Sequence, residues 1–440
     1  MHDSALVASA MRPFAFAIVL ALGVACGGGG GSVASNAAPG AGGGAAPTSC
    51  STGFATPDPN PTGPSPAPLP AGLTLPSGFS GSVIAQVPSA RELTVAPNGD
   101  LFVGTESTQV YIVPHADDAG AAGTPQIFWS HPQASNNGDA PNAGLTLSLQ
   151  ECALYVAGNT SVWMIRYRPG DQNAESAQQI ASVRTGSVSP GSDGDVHTTT
   201  SVAFTQGSLF VSVGSSCNAC TEVDPTRAVV LQFGPTGGNS TTKATRIRNG
   251  IALAADPASG HLWVGGAGQD DLASGHPYEF SDDVSAHAGE ADYGWPNCEE
   301  NHIAYVTGSN CASTIAPIVE LPAYSTTIGE TFYPASSGAN AFPAQYRGGL
   351  FITAHGSWHT TNGSSAAIPQ VAFVAMNGDV PVTAVSWSNP AAQWQTFFGG
   401  FQQGATTRIG RPTGIAVGPT GSLFVADDQT GNIYRIRPIP

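Results

Sequence analysis

Six times along the chain a run of alternating apolar residues meets a turn and restarts with Leu followed by an aromatic residue. The restarts begin at Leu101-Phe102, Leu154-Tyr155, Leu209-Phe210, Leu262-Trp263, Leu350-Phe351 and Leu423-Phe424, at intervals of 53, 55, 53, 88 and 73 residues. The clearest units read LTVAPNGDLFVG (93–104), IALAADPASGHLWVG (251–265) and IAVGPTGSLFVA (415–426). In each, a strand runs into a tight turn of the Pro/Asn/Asp-Gly kind and a second alternating strand follows. A unit of roughly 50 residues accommodates four short strands, which is one propeller blade. The expected fold is therefore all-β, a six-bladed β-propeller, with a large β-sandwich or an open solenoid as the alternative. The fourth and fifth intervals exceed a bare blade and must contain loop insertions. GSVIAQV (81–87) and NIYRIR (432–437) also alternate like strands. Pairing the first into the last blade would remove the open edges that a long array of sheets exposes.

Composition fits a turn-rich β protein: 55 Gly and 35 Pro accompany only 10% charged residues, which disfavours long amphipathic helices. The formal charge is −16 and Lys243 is the single lysine. That balance argues against nucleic acid or an anionic membrane surface as partner, because phosphate binding needs a basic face. Arginines are scarce enough that any grouped with polar residues is a candidate anion ligand.

The N-terminal segment reads as an export signal over residues 1–26, with Arg12 ahead of a short apolar run from Phe14 to Val24. The run is too short to span a bilayer as a helix. Ala25-Cys26 before five glycines resembles a bacterial lipoprotein site, so membrane attachment is expected only through a lipidated Cys26. The chain is then expected in the periplasm, on the outer membrane or at the cell surface. Residues 27–75, dominated by Gly, Ala, Pro, Ser and Thr, read as a flexible linker, which leaves 76–440 for the propeller. Setting Cys26 aside leaves six cysteines, an even number suited to an oxidising compartment. Proximity suggests Cys217 with Cys220, Cys298 with Cys311, and Cys50 with Cys152. A redox or metal role for Cys217-Asn-Ala-Cys220 has no second such pair to support it, so a structural disulfide is favoured.

A series of motifs carries the chemistry. DVHTTTSVAF (195–204) leads into VSVGSSCNAC (211–220); RIRNGIALAADPASGHLWVG (246–265), DYGWPNC (292–298), AHGSWH (354–359) and GRPTGIAVGPTGSLFVADD (410–428) follow. In that order, from about residue 80 to the C-terminus, the set resembles the PQQ-dependent soluble glucose and sorbosone dehydrogenases. SSCNAC and HGSW resemble the sorbosone dehydrogenase-like branch. The resemblance implies a sugar or aldose substrate, an external electron acceptor, and PQQ with Ca²⁺ as cofactors.

It also implies roles for residues. His197 would be the base that takes the hydroxyl proton while hydride leaves carbon, a task that suits a neutral imidazole. Arg248 and Asn249 match the Arg-Asn pair at the quinone, where Arg248 would stabilise charge gathering on the reduced oxygen. Arg411, with Arg408 beside it, matches arginines that hold cofactor carboxylates. His355 would take over a polar contact made by a lysine in the glucose enzymes, and Trp358 would stack on sugar or quinone or pack in a blade. Gly268 and Gln269 are the positional candidates for Ca²⁺, partly through backbone carbonyls. The sequence departs from the glucose enzymes at Ala267, at Gln269, at the Tyr278–Ser281 stretch, and at Ser215, which stands where those enzymes have an Asp behind the base. Asp195 is then an alternative partner for His197. Two other readings compete: a cofactor-free surface propeller that binds a glycan or protein, and a Ca²⁺ hydrolase of the lactonase kind. The latter needs carboxylates converging on the central channel, and the sequence shows no clear set.

Overall fold

A computed structural model describes residues 63–132, 144–148, 150–190, 196–270, 275–335, 338–357, 367–404 and 407–440. The signal segment, Cys26, Cys50, Asp195 and Trp358 lie outside the described residues. Each of the six predicted Leu-aromatic pairs starts or lies within the second strand of a blade with four antiparallel strands, to which a short fifth strand is added in blades 3 and 6. The first strands of the blades are Ala90–Val95, Leu145–Ser148, Thr200–Thr205, Asn249–Ala255, Thr327–Phe332 and Pro412–Val417. They contact one another in cyclic order, the sixth returning to the first, so they form the inner ring of the propeller.

Closure follows the expected scheme. Phe79–Gln86 pairs antiparallel with Asn432–Pro438, placing an N-terminal strand at the outside of the sixth blade. The segment read as linker up to residue 75 is already docked in its described part. Ala67–Pro68 pairs with Phe79–Gln86, Thr74 bridges to Gly399, and Leu69, Leu73 and Leu75 pack on the core of the last two blades.

The long intervals hold the expected insertions. In blade 4, residues 284–318 leave the third strand and carry the DYGWPNC loop. Its Ala291–Asp292 adds in parallel to the outer strand of blade 3, and the Cys298–Cys311 disulfide ties the loop to itself. In blade 5, Phe342 stands in the loop between the first two strands and is fully buried. Its ring meets Phe79 of the closing strand at 4.7 Å and Tyr333 at 4.5 Å. Cys217–Cys220 is the second expected disulfide that is present. Cys152 is disulfide-bonded as well, while its expected partner Cys50 lies outside the described residues.

Candidate active site

One face of the propeller collects nearly every residue that the motifs single out. In each blade the start of the inner strand pairs with the end of the second strand, as in Thr200↔Val213, Asn249↔Ala267, Thr327↔Ala354 and Pro412↔Asp427. His197 and Arg248 therefore precede an inner strand on the same face to which Ser215, Gly268, His355 and Asp428 emerge from second strands. Alternating direction in an antiparallel sheet is what brings these distant stretches together.

His197 is held by blade 3. Its Nδ1 lies 2.7 Å from Ser215 Oγ and 3.2 Å from the Ser215 carbonyl oxygen. The Ser215 hydroxyl in turn donates to the Cys217 carbonyl at 2.7 Å. Its proton being committed, Ser215 can only accept from the imidazole, as can its carbonyl. Nδ1 therefore carries the hydrogen and Nε2 keeps its lone pair. Burial, together with the charges of Arg248 and Arg227, lowers the His197 pKa to about 3 against the raising effect of the Ser215 carbonyl. The ring is neutral throughout the neutral range.

Gly214 places this histidine against blade 4. A Cβ there would lie 2.6 Å from His197 Cβ, 2.7 Å from Asn249 Oδ1 and 2.8 Å from the His197 carbonyl oxygen. His197 and Asn249 thus flank one glycine, and no room remains for a methyl group. Gly214→Ala is expected to cost about 1–3 kcal/mol as an overpacking change. Equilibrium denaturation checks this, and a neutral substitution would contradict the close packing.

Arg248 is buried, and its Nε and Nη2 are directed inward. Its Nε donates to the Asn218 carbonyl at 3.1 Å, and Nη2 donates to Asn218 Oδ1 at 2.9 Å and Asp270 Oδ2 at 2.7 Å. The backbone N–H of Asp270 also donates to Asn218 Oδ1, and the Trp295 indole N–H donates to the Asn218 carbonyl. Asn218, inside the Cys217–Cys220 loop, therefore orients Arg248, while the carbonyl of Cys217 orients Ser215 and so His197. The disulfide loop is a common support for both. Trp295 of DYGWPNC buttresses it and packs with Cys217 and Ala228.

Gly268 and Gln269 emerge just after the second strand of blade 4. The Gln269 side-chain amide donates to the Pro296 carbonyl at 2.8 Å and to Glu299. A Cβ on Gly268 would lie 3.1 Å from Glu299 Oε2. Burial raises the Glu299 pKa to about 8, and Gln269 and Arg248 pull it the other way. Oxygen donors are thus gathered here, and Glu299 is an oxygen donor that the sequence reading omitted. Glu279, in the stretch read as a departure, is buried and pushed up to about 8 by that burial, although Thr327 N–H donates to it.

A second group sits on blades 5, 6 and 1. His355 Nε2 meets Asp428 Oδ1 and Oδ2 at 3.0 and 2.9 Å, and Arg91 Nη1 donates to Asp428 Oδ2 at 3.0 Å. Burial lowers His355 to about 4 despite the raising effect of Asp428. For Asp428, burial acts upward, but His355, Arg91 and Arg411 outweigh it and hold the carboxyl ionised. The neutral His355 ring spends its single proton on Asp428, which leaves Nδ1 as an acceptor. Carboxylate donors on this side are consequently the arginines. Arg411 donates through Nε to the His355 carbonyl at 3.1 Å and through Nη2 to the Gly356 carbonyl at 2.8 Å. Arg408 donates through Nε to Gln402 Oε1 at 3.0 Å, while its Nη2 is buried without a hydrogen-bond partner. Burial lowers both arginines, Arg411 to about 10, and Arg408 lowers Arg411 further. Two neighbouring guanidiniums with an orphaned buried donor call for an anion.

Asn218, Asp270, Asp428, Arg91 and Glu299 complete the two groups. Each joins through another blade or loop, so only the spatial ring reveals it.

A family model described as TrAA12-like matches residues 73–299 and 287–438. Among solved structures the chain is similar to the Family AA12 carbohydrate-active enzyme of Trichoderma reesei in its iodide structure. Identity is 17% and the TM-score 0.65, over 87% of this chain and 100% of that one. It is similar to the holo PQQ domain of a pyranose dehydrogenase from Coprinopsis cinerea at 17% identity and a TM-score of 0.65, covering 84% and 98%. A soluble aldose sugar dehydrogenase of Escherichia coli in the apo form follows at 15% identity and a TM-score of 0.52, covering 82% and 100%. Identities this low speak for a shared propeller fold. An uncharacterized protein of Borreliella burgdorferi is 27% identical over 233 residues, 52% of this chain and 56% of that protein. The chain thus spans about half the length of that curated relative.

Proposed function

The chain belongs to the TrAA12-like family, and from that membership we propose that it is a PQQ- and Ca²⁺-dependent dehydrogenase oxidising a hydroxyl of a sugar or aldose. The observation that carries the reading is the imidazole of His197, neutral and fixed by Ser215 through Nδ1, which leaves Nε2 unprotonated on the face that also bears Asn249 and Arg248. Such a nitrogen can take a hydroxyl proton as a carbon–hydrogen bond opens.

When bound, PQQ supplies the two-electron acceptor and Ca²⁺ the Lewis acid. The arginines 411 and 408 are the residues that would hold its carboxylates, matching the anion demand of that side. Arg248 and Asn249 would face its reactive carbonyl, where a fixed guanidinium steadies negative charge. The Gly268-Gln269 segment with Glu299 offers the oxygen donors that a Ca²⁺ site uses. The finer sorbosone dehydrogenase-like assignment rests on SSCNAC and HGSW alone. Export, by signal or lipidated Cys26, agrees with two disulfides in the described residues.

The decisive experiment is dye reduction by purified protein incubated with PQQ and Ca²⁺, across a panel of aldoses. Turnover with at least one sugar is expected; no turnover and no spectral change would leave a cofactor-free binding propeller. The pH profile offers a further check. With the His197 pKa near 3 in the free protein, its base form persists as pH falls from 7 to 5. The profile of kcat/KM should therefore lack an acid inflection near the ordinary histidine value of about 6.5. An inflection there that disappears in His197→Gln would contradict the lowered value.

A further inference from the structure

The inner ring encloses a small cavity on the propeller axis, about 40 Å³, lined by first-strand residues from all six blades. Leu145, Ile251 and Ile415 are among its lining residues, but the surface that faces it is mostly polar, and two carboxyl groups border it, Glu92 from blade 1 and Glu330 from blade 5. Glu330 Oε2 accepts the Ser281 hydroxyl at 2.7 Å, while Glu330 Oε1 and Glu92 Oε1 are buried without any partner. Ser201, 4% exposed and also lining the cavity, has an unpartnered Oγ as well. Buried polar atoms almost always find partners, so three oxygens left over in one void indicate an absent occupant.

Burial raises both carboxyls to about 8, and Glu92 raises Glu330 further, so without a cation both hold their protons near neutral pH. A water could bridge the protonated pair. A divalent cation would instead displace both protons and bind the two carboxylates and the hydroxyl together. All the donors are hard oxygens, which disfavours zinc or copper and suits Ca²⁺, an ion that takes oxygen ligands in flexible geometry. We propose that the axial cavity is a Ca²⁺ site ligated by the carboxylates of Glu92 and Glu330 with the Ser201 hydroxyl. It is separate from the Gly268-Gln269 loop on the active face and does not rest on the dehydrogenase reading. The cavity is too small for a lactone, so it does not revive the hydrolase reading. Its consequence is structural: one ion would tie blades 1, 3 and 5 together at the centre of the ring.

The test uses the full chain without PQQ, stripped with EDTA and then dialysed against Ca²⁺, with bound calcium counted by mass spectrometry. Wild type should bind one ion more per chain than the Glu92→Gln/Glu330→Gln variant. Its unfolding temperature should rise by a few degrees with Ca²⁺, a response reduced in the variant. Equal calcium in the two proteins, or a wild type preferring Mg²⁺ at equal concentration, overturns the proposal. Should the variant not fold, crystals of wild type grown with Ca²⁺ decide the matter by anomalous scattering. A calcium-strength peak between Glu92 and Glu330 supports the site, and a peak of water strength refutes it.

Discussion

His197→Ala should lower turnover of the PQQ- and Ca²⁺-loaded protein by about 10²–10⁴, the usual cost of losing a general base. The loss should fall on kcat, because in the proposed role the ring would contact the reacting proton rather than hold the cofactor. PQQ affinity, measured by absorbance titration, should change by less than about tenfold. Ser215→Ala is the informative companion. It removes the hydroxyl that accepts from Nδ1 at 2.7 Å but leaves the Ser215 carbonyl at 3.2 Å. The imidazole then keeps one acceptor, and a smaller loss of about tenfold is expected, the size of one neutral hydrogen bond. Retention of activity within tenfold in His197→Ala would remove it from the base role.

Phe342→Ala should destabilise the fold by about 3–5 kcal/mol, the range for emptying a buried aromatic site. The ring is fully buried and faces Phe79, Tyr333, Tyr346, Phe351 and Phe397. Phe79 belongs to the strand that closes the propeller, so this cluster fastens blade 5 to the closure. The Phe342 N–H donates to the Tyr333 hydroxyl, which donates to the Gly421 carbonyl in blade 6. A cavity at this point therefore weakens packing between the last two blades as well as within one. Urea denaturation monitored by tryptophan fluorescence gives the value. Phe342→Leu should cost markedly less, and a cost below about 1 kcal/mol for Ala would show that closure does not depend on this cluster.

The fold was legible because a propeller repeats its physics. Leu101, Leu154, Leu209, Leu262, Leu350 and Leu423 occupy the same place in six blades, and each is fully buried. Strand alternation and Gly-bearing turns are local signals, and the closing strands alternate in the same way. The docked part of the linker was less visible, since Pro70, Ala71 and Gly72 separate Leu69 from Leu73 and the Leu73-Thr74-Leu75 alternation is too short to mark a strand. The order of the motifs marks His197, Arg248, Asn249, Arg408 and Arg411 as candidates. It does not mark the residues that support them. Asn218 reads as a spacer between two cysteines until its carbonyl and side chain are seen on Arg248. Asp428 reads as the end of a turn until Arg91, from the other end of the chain, reaches it. Glu92 and Glu330 were the least visible, because a Glu on an alternating strand normally reads as the solvent side. On the innermost strand that side faces the axis.

The central claim is that the active face is built for an anionic quinone beside a fixed base. Equilibrium titration of PQQ into apoprotein with Ca²⁺, followed by absorbance, tests it most directly. Saturable binding is predicted, one PQQ per chain, weakened at least tenfold in Arg411→Met and Arg248→Met and dependent on Ca²⁺. Absence of saturable binding, or binding indifferent to both arginines and to Ca²⁺, would contradict the account.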